Sequence, residues 1–287
     1  MKVMPTADRD QLIGLLGQGS VAVITGAGLS TGSGIPAYRD QHGQWQHSQP
    51  IQHQDFLKSA ATRQRYWARS FVGWVTMAEA RPNQGHVALA KLESRGVVST
   101  VITQNVDGLH HEAGSQSVIE LHGGIRQVRC LSCVERYTRS QVQEWLHHAN
   151  PDFDYDQART ARQAPDGDAH LVDTVYARFA VPDCPVCAGL LKPDVVFFGD
   201  NVPRERVNRA QQAVESAKTL LIVGSSLMVY SGYRFAEQAH RLGKPVIAIN
   251  QGVTRADHLL MLKIEDECGS VLSAIISELM EAEVIHA

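Results

Sequence analysis

The chain has 287 residues, 44% of them hydrophobic, and its 27 Lys plus Arg against 30 Asp plus Glu leave a net charge of −3. That is enough chain and apolar content for a sizeable core, which excludes wholesale disorder. A charge this close to neutral gives no bulk electrostatic reason to coat nucleic acid or an anionic membrane.

No apolar run approaches the ~20 residues that span a bilayer. Met1 to Ser20 lack the basic start, apolar centre and small-residue cleavage site of an export signal, so a cytoplasmic location is expected. Five cysteines, four of them in two close pairs, suit metal ligation in a reducing compartment better than disulfides.

In chain order, the pattern predicts a helix over 8–16, broken by Gly17 and Gly19, then a β-branched strand over 21–25. Further short apolar runs lie at 97–103, 118–121, 194–198, 219–224 and 246–250. Such runs predict strands buried on both faces, hence a parallel sheet. Helix-like stretches at 204–218 and 233–242 lie between them, the second closed by Gly243 and Pro245. The alternation predicts an α/β, Rossmann-like doubly wound parallel sheet. Two stretches interrupt it. Residues 41–80 hold three of the four Trp at helical spacing, and 125–190 hold the paired Cys and the polar turn 162–168. These predict a smaller inserted lobe, a helical module and a zinc-ribbon module. The large domain is then discontinuous, over 1–40, 81–124 and 191–287.

Chemistry concentrates at the strand ends. After the first strand, Gly26, Ala27, Gly28 and Ser30 open a glycine-rich turn running to Pro36, the kind that brings backbone amides to a pyrophosphate. The strict G-x-G-x-x-G fingerprint fails because Thr31 stands at the third glycine. Gln104, Asn105 and Asp107 follow the second strand, where either ligand binding or helix capping suits them. His122 ends another strand before Gly123 and Gly124, space for a substrate beside a titratable imidazole. Gly224, Ser225 and Ser226, then Asn250, Gln251 and Gly252, sit at two later strand ends, with Asn250 suited to a ribose hydroxyl. Cys130, Cys133, Cys184 and Cys187 form two C-x-x-C knuckles 50 residues apart. Four thiolates make a closed tetrahedral site for one structural Zn²⁺, with a redox dithiol or an iron–sulfur cluster as alternatives. Cys268 alone reads as a small buried hydrophobe.

Taken together, GAGLSTGSGIPAYRD, TQNVDGLHHEAGS, ELHG, the Cys pairs, LKPDVVFFGD, GSSLMVYSGYRFA and INQG resemble the sirtuins, NAD-dependent protein lysine deacylases. The resemblance runs in unbroken order from about residue 20 to 270. RQRYWARSFVGW, APDGD and GSSLMVYSGYRF are most similar to the class II, sirtuin-4-like branch and its bacterial relatives.

The resemblance implies NAD as co-substrate, with Gly26, Ala27, Gly28 and Ser30 at its phosphates. Pro36, Tyr38 and Arg39 would close over the nicotinamide ribose, and Gln104, Asn105 and Asp107 would line the nicotinamide pocket. His122 becomes the catalytic base, assisted by Asn105. Gly224, Ser225, Ser226, Asn250, Gln251, Gly252 and Cys268 fall along the adenosine half. Val195, Val196, Phe197, Phe198 and Gly199 would pair with the acyl-lysine peptide. Tyr38 and Asp40 stand where the main deacetylase class carries Phe and Gly or Ser. Tyr66 and Arg69, three apart on a predicted helix, resemble the pair of sirtuins that remove acidic acyl groups; packing of Tyr66 and solvation of Arg69 is the other reading. Expected partners are acyl-lysine proteins, with neither nucleic acid nor membrane. Mono-ADP-ribosyl transfer from the same site, and a non-catalytic NAD-sensing module, are the rival functions.

Overall fold

The computed structural model describes residues 5–46, 50–153, 165–167, 169, 171 and 176–285, with side chains described as far as 279. Residues 162–164 and 168 of the polar turn lie outside these.

Helix α1 (Thr6–Gly17) leads into β1 (Val21–Thr25), every residue of which is buried. The main sheet adds β2 (Val98–Thr103), β3 (Val118–Glu120), β7 (Thr219–Val223), β8 (Val246–Ile249) and β9 (Leu262–Ile264). Its order is β3-β2-β1-β7-β8-β9, and every neighbouring pair is parallel. Strand order reverses between β1 and β7, which makes that junction the topological switch point where open α/β sheets bind ligands.

Successive β1 residues serve opposite cores, as the two-residue period of a strand requires. Val21 and Val23 pack with Leu12, Leu89 and Leu272, from α1, α5 (Gln84–Ser94) and α10 (Cys268–Ile285). Ala22 and Ile24 pack with Val214 and Phe235, from α8 (Arg204–Ser216) and α9 (Tyr230–Arg241). Covered on both faces, the sheet needs no polar alternation. This is why its strands read as continuous apolar runs.

A second, antiparallel sheet has the order β5-β4-β6, from β4 (Gly123–Cys130), β5 (Arg136–Thr138) and β6 (Leu191–Val195). The run at 194–198, expected in the parallel sheet, belongs here instead. Its first residues end β6 and pair with β4, while Val196 to Phe198 continue as an extended edge bridged to Gln52. A short apolar run carries no information about the direction of its partner, which explains the misplacement. Helices α3 (His53–Lys58), α4 (Ala60–Glu79) and α7 (Arg139–Ala149) cover this sheet through Phe56, Trp67, Phe71, Val142 and Leu146. Ser59 caps α4 by accepting from the Thr62 amide at 3.1 Å, and Thr138 with Gln141 forms a capping box on α7.

The two cores differ in charge. The packing of the large sheet is apolar, whereas the small lobe fully buries Arg139 and Lys192. Neither forms an ion pair among the described residues. Arg139 lies between the Trp67 and Trp74 rings, 5.5 and 5.1 Å from their centroids, with its Nη2 donating to the Ser70 carbonyl. Lys192 sits 4.1 Å from the Phe197 ring centroid and donates to the Val195 carbonyl. Burial pushes the Arg139 guanidinium down to about 10 and the Lys192 ammonium down to about 8.

Candidate active site

A cavity of about 610 Å³ opens at the switch point. Its floor is the turn after β1, where α2 (Ala27–Ser30) starts immediately and presents amides at the sheet's carboxyl edge. Close approach makes this possible. Gly224, at the end of β7, has φ +59°, and a Cβ there would overlap the Leu29 backbone nitrogen.

Beneath the turn lies a polar network whose hydrogen directions can be assigned. The Ser30 hydroxyl donates to Asp107 Oδ2 at 2.8 Å, so its lone pairs face Asn105 Nδ2, which donates to it at 3.0 Å. Asn105 Nδ2 also reaches the Gly26 carbonyl at 3.0 Å, tying the second strand end to the first. His86 Nδ1 accepts from the Asn83 amide, leaving Nε2–H directed at Ser30 Oγ, 3.5 Å away. His110, fully buried, meets Thr25 Oγ1 at 2.9 Å. Burial pushes His86 down to about 4 and His110 down to about 3, so both imidazoles are neutral at pH 7.

His122 lines the same cavity. Its Nδ1 lies 2.9 Å from the Gln104 carbonyl, and its Nε2 lies 2.8 Å from the Ser231 hydroxyl. Burial pushes this imidazole down to about 4; the Gln104 carbonyl opposes the shift, and the Arg206 and Arg234 charges add to it. Gln104 Nε2 in turn donates to Ser225 Oγ at 2.6 Å, so three strand ends share one network.

The cavity gathers Gly26, Ala27, Gly28, Ser30, Tyr38, Arg39, Gln104, Asn105, Asp107 and His122 from the first half of the chain. From the second half come Val195 to Phe198, Gly224, Ser225, Ser226, Asn250, Gln251 and Cys268. Pro36, Gly199 and Gly252 flank it without lining it. Burial drives the Cys268 thiol up to about 12, and it donates to the Ile249 carbonyl at 3.4 Å, the behaviour of an inert hydrophobe. Tyr66 reaches the cavity beside Phe197, ring centroids 5.0 Å apart. Arg69 does not line it; its Nε donates to the Ala169 carbonyl at 2.8 Å. Over the mouth, the Arg39 guanidinium stacks 4.0 Å from the Trp45 ring centroid, and Trp45 meets Phe198 at 5.8 Å. Trp45, Ile51, Pro165 and Asp166 also line the cavity and Ser231 touches His122; spacing singles out none of them, because nothing in the sequence says which segments turn inward.

The four paired cysteines lie away from this cavity. Their sulfurs all fall within 4.8 Å of one another, with Cys130 and Cys187 3.5 Å apart and Cys133 and Cys184 3.8 Å apart. Zn–S bonds of about 2.3 Å at tetrahedral angles separate sulfurs by roughly 3.8 Å, so the tetrad fits one zinc ion. The Ser132 and Cys133 amides donate to Cys130 Sγ at 3.3 and 3.4 Å, as thiolate sulfurs in a knuckle require. Tyr137, 3.2 Å from Cys184 Sγ, is the chief influence drawing that thiol down to about 6.

A glycine-rich turn at a Rossmann switch point defines the class of dinucleotide-binding proteins. Within that class the assignment narrows. The chain belongs to the Sir2 family, whose profile matches residues 26–231. It is 55% identical over 251 residues to an NAD-dependent protein deacetylase of Xanthomonas axonopodis pv. citri, covering 88% of this chain and 85% of that protein. It is 52% identical over 272 residues to one of Bordetella bronchiseptica, covering 94% and 98%. A solved Sir2 structure with a p53 peptide and NAD⁺ superposes with a TM-score of 0.75 at 31% identity, covering 93% and 97%.

Proposed function

We propose that this protein is an NAD-dependent protein lysine deacylase that passes the acyl group of a modified lysine to ADP-ribose and releases nicotinamide. One observation carries the reading: a single cavity holds the amides of the Gly26 turn, the His122 imidazole and the extended edge at Val195 to Phe198. The deacetylase relatives and the peptide-bound Sir2 fold support it.

When bound, NAD supplies an anomeric carbon that accepts the acyl amide oxygen as nicotinamide leaves. The chain's residues do the rest. Gly26, Ala27, Gly28 and Ser30 hold the phosphates, Asn250 suits the ribose, and Asn105 and Asp107 suit the carboxamide. His122 Nε2, neutral at pH 7, takes a proton from a ribose hydroxyl. The edge at 195–198 aligns the peptide, with two of its backbone groups already engaged: the Val196 amide on the His122 carbonyl and the Phe198 carbonyl on the His53 amide, each at 2.8 Å. Zinc on the cysteine tetrad supplies structure, since four thiolates leave no open position.

The domain division that goes with this reading keeps 41–80 and 125–190 as the small lobe, its sheet completed by β6. Within the family we place the chain in the sirtuin-4-like branch, on RQRYWARSFVGW and GSSLMVYSGYRF. Five free cysteines suit a reducing cytoplasm, and no helix among the described residues is long and apolar enough to cross a membrane.

The test is a panel of acetyl-, succinyl-, glutaryl-, lipoyl- and long-chain-acyl-lysine peptides with NAD. Loss of the acyl mass with matched nicotinamide release is expected. A gain of ADP-ribosyl mass on the peptide would replace this reading with ADP-ribosyl transfer.

A further inference from the structure

The His122 imidazole is gripped at both nitrogens. A carbonyl only accepts, so Nδ1, facing the Gln104 oxygen at 2.9 Å, carries the hydrogen. Nε2 of the neutral ring is then a bare acceptor, and the Ser231 hydroxyl, 2.8 Å away, is its donor.

The hydroxyl is placed there by the fold. Ser231 is the second residue of α9, so this helix begins against the ring. The next residue is Gly232, where a Cβ would stand 2.5 Å from Gln104 Oε1 and 2.8 Å from Gln104 Cδ. A side chain at this position would push the Gln104 amide aside, away from its contact with Ser225. Gln104 is itself fixed by Ser225, which completes a chain of contacts from Ser225 through Gln104 and His122 to Ser231. Arg206 and Arg234 are the charges that act on the ring, and the helix N-terminus adds a positive pole.

We propose that Ser231 is a positioning residue for His122: its hydroxyl fixes the ring by donating to Nε2 in the NAD-free site and yields that lone pair to a ribose hydroxyl when NAD and peptide are bound. This rests on the deacylase reading above. Ser231 forms and breaks no covalent bond; the proton moves from the ribose hydroxyl to Nε2. A serine hydroxyl donates to the neutral ring and, after rotating, accepts from the protonated one. It therefore serves His122 before and after transfer. Alanine does neither, and threonine does both.

The experiment compares wild type, Ser231→Ala and Ser231→Thr on one acyl-lysine peptide. Exchange of labelled nicotinamide into NAD needs cleavage only, whereas peptide deacylation also needs His122. Ser231→Ala should lower kcat for deacylation about tenfold, the scale of one hydrogen bond. Exchange and the KM for NAD should stay within roughly twofold. Ser231→Thr should restore deacylation. Equal losses in both reactions, no loss at all, or failure of Thr to restore would each overturn the proposal. A measurement without substrate separates it from the function it rests on. In ring-¹⁵N spectra of the NAD-free protein, Ser231→Ala should move the His122 Nε2 signal toward a free lone pair, and an unmoved signal overturns the proposal. A signal that moves in this way in the variant, beside a wild type that cleaves no NAD, would instead sink the deacylase reading.

Discussion

The two sheets are stabilised by different physics. In the large sheet, β1 is buried along its whole length between two apolar layers, and burial of that kind contributes about 25 cal/mol per Å². The small sheet has three short antiparallel strands, keeps in its interior two cations with no ion pair among the described residues, and gathers four thiols at one end. A lobe that small, with charges inside, depends on a staple. Burial frames the cavity, and the cysteine tetrad braces the lobe whose edge at 195–198 lines it.

The largest effect should come from removing the staple. Cys130→Ser with Cys184→Ser, or prolonged chelation, should unfold the small lobe and abolish activity, because structural zinc contributes on the order of 10 kcal/mol. Hydrogen exchange resolved by strand checks this: β4 and β6 should lose protection while β1 and β7 keep it. Simultaneous loss in both sheets would break the contrast.

His122→Ala should touch neither sheet. It is expected to cost at least ~10²-fold in deacylation, the contribution of a positioned base, with NAD affinity and melting temperature nearly unchanged. Full deacylation by this variant would remove His122 from the chemistry.

Gly224→Ala probes the large sheet alone. A left-handed backbone costs a non-glycine residue about 1–2 kcal/mol, and the overlap with Leu29 adds to it. NAD binding should weaken along with stability, since the Gly26 turn must shift; calorimetry on the variant reads both. Tight binding despite a lower melting temperature would mean the turn tolerates the shift.

The last effect is a pH dependence. His86, His110 and His122 have folded pKa values of about 4, 3 and 4 against an unfolded value near 6.5. Between those values the unfolded chain binds more protons, so stability falls as pH drops from about 6.5 towards 4, by at most about 1.4 kcal/mol per pH unit for each histidine. Denaturant melts at pH 7 and 5 on the His110→Asn variant should show a shallower slope than wild type. For the same reason, the acid limb of activity should lie well below pH 6.5.

How much was legible follows the same divide. Strands such as Val21–Thr25 and Thr219–Val223 announce themselves because burial on both faces leaves almost only apolar residues, with one threonine in each. The metal tetrad is legible because two C-x-x-C knuckles have few other uses. Strand β4 was missed because its burial alternates, and β9 because three residues are too few to show a period. Tyr66 and Arg69 share a helix, yet only Tyr66 reaches the cavity: spacing fixes which residues neighbour one another, while packing decides which way the shared face turns. Ser231 was invisible for a related reason, since its meaning comes from a histidine far away in sequence.

The sheet order also sets a schedule for biosynthesis. Val21 of β1 pairs with Val98 on one side and with Thr219 on the other. A ribosome working at roughly 5–20 residues per second needs on the order of ten seconds or more to deliver that second partner. Throughout that interval the emerging β1 carries an open apolar edge, the feature that invites pairing between nascent chains. The glycine turn meanwhile lacks Gly224, so no dinucleotide can rescue the intermediate by binding. Soluble yield of this protein should therefore respond to translation rate and to chaperone supply, and the finished enzyme should need neither.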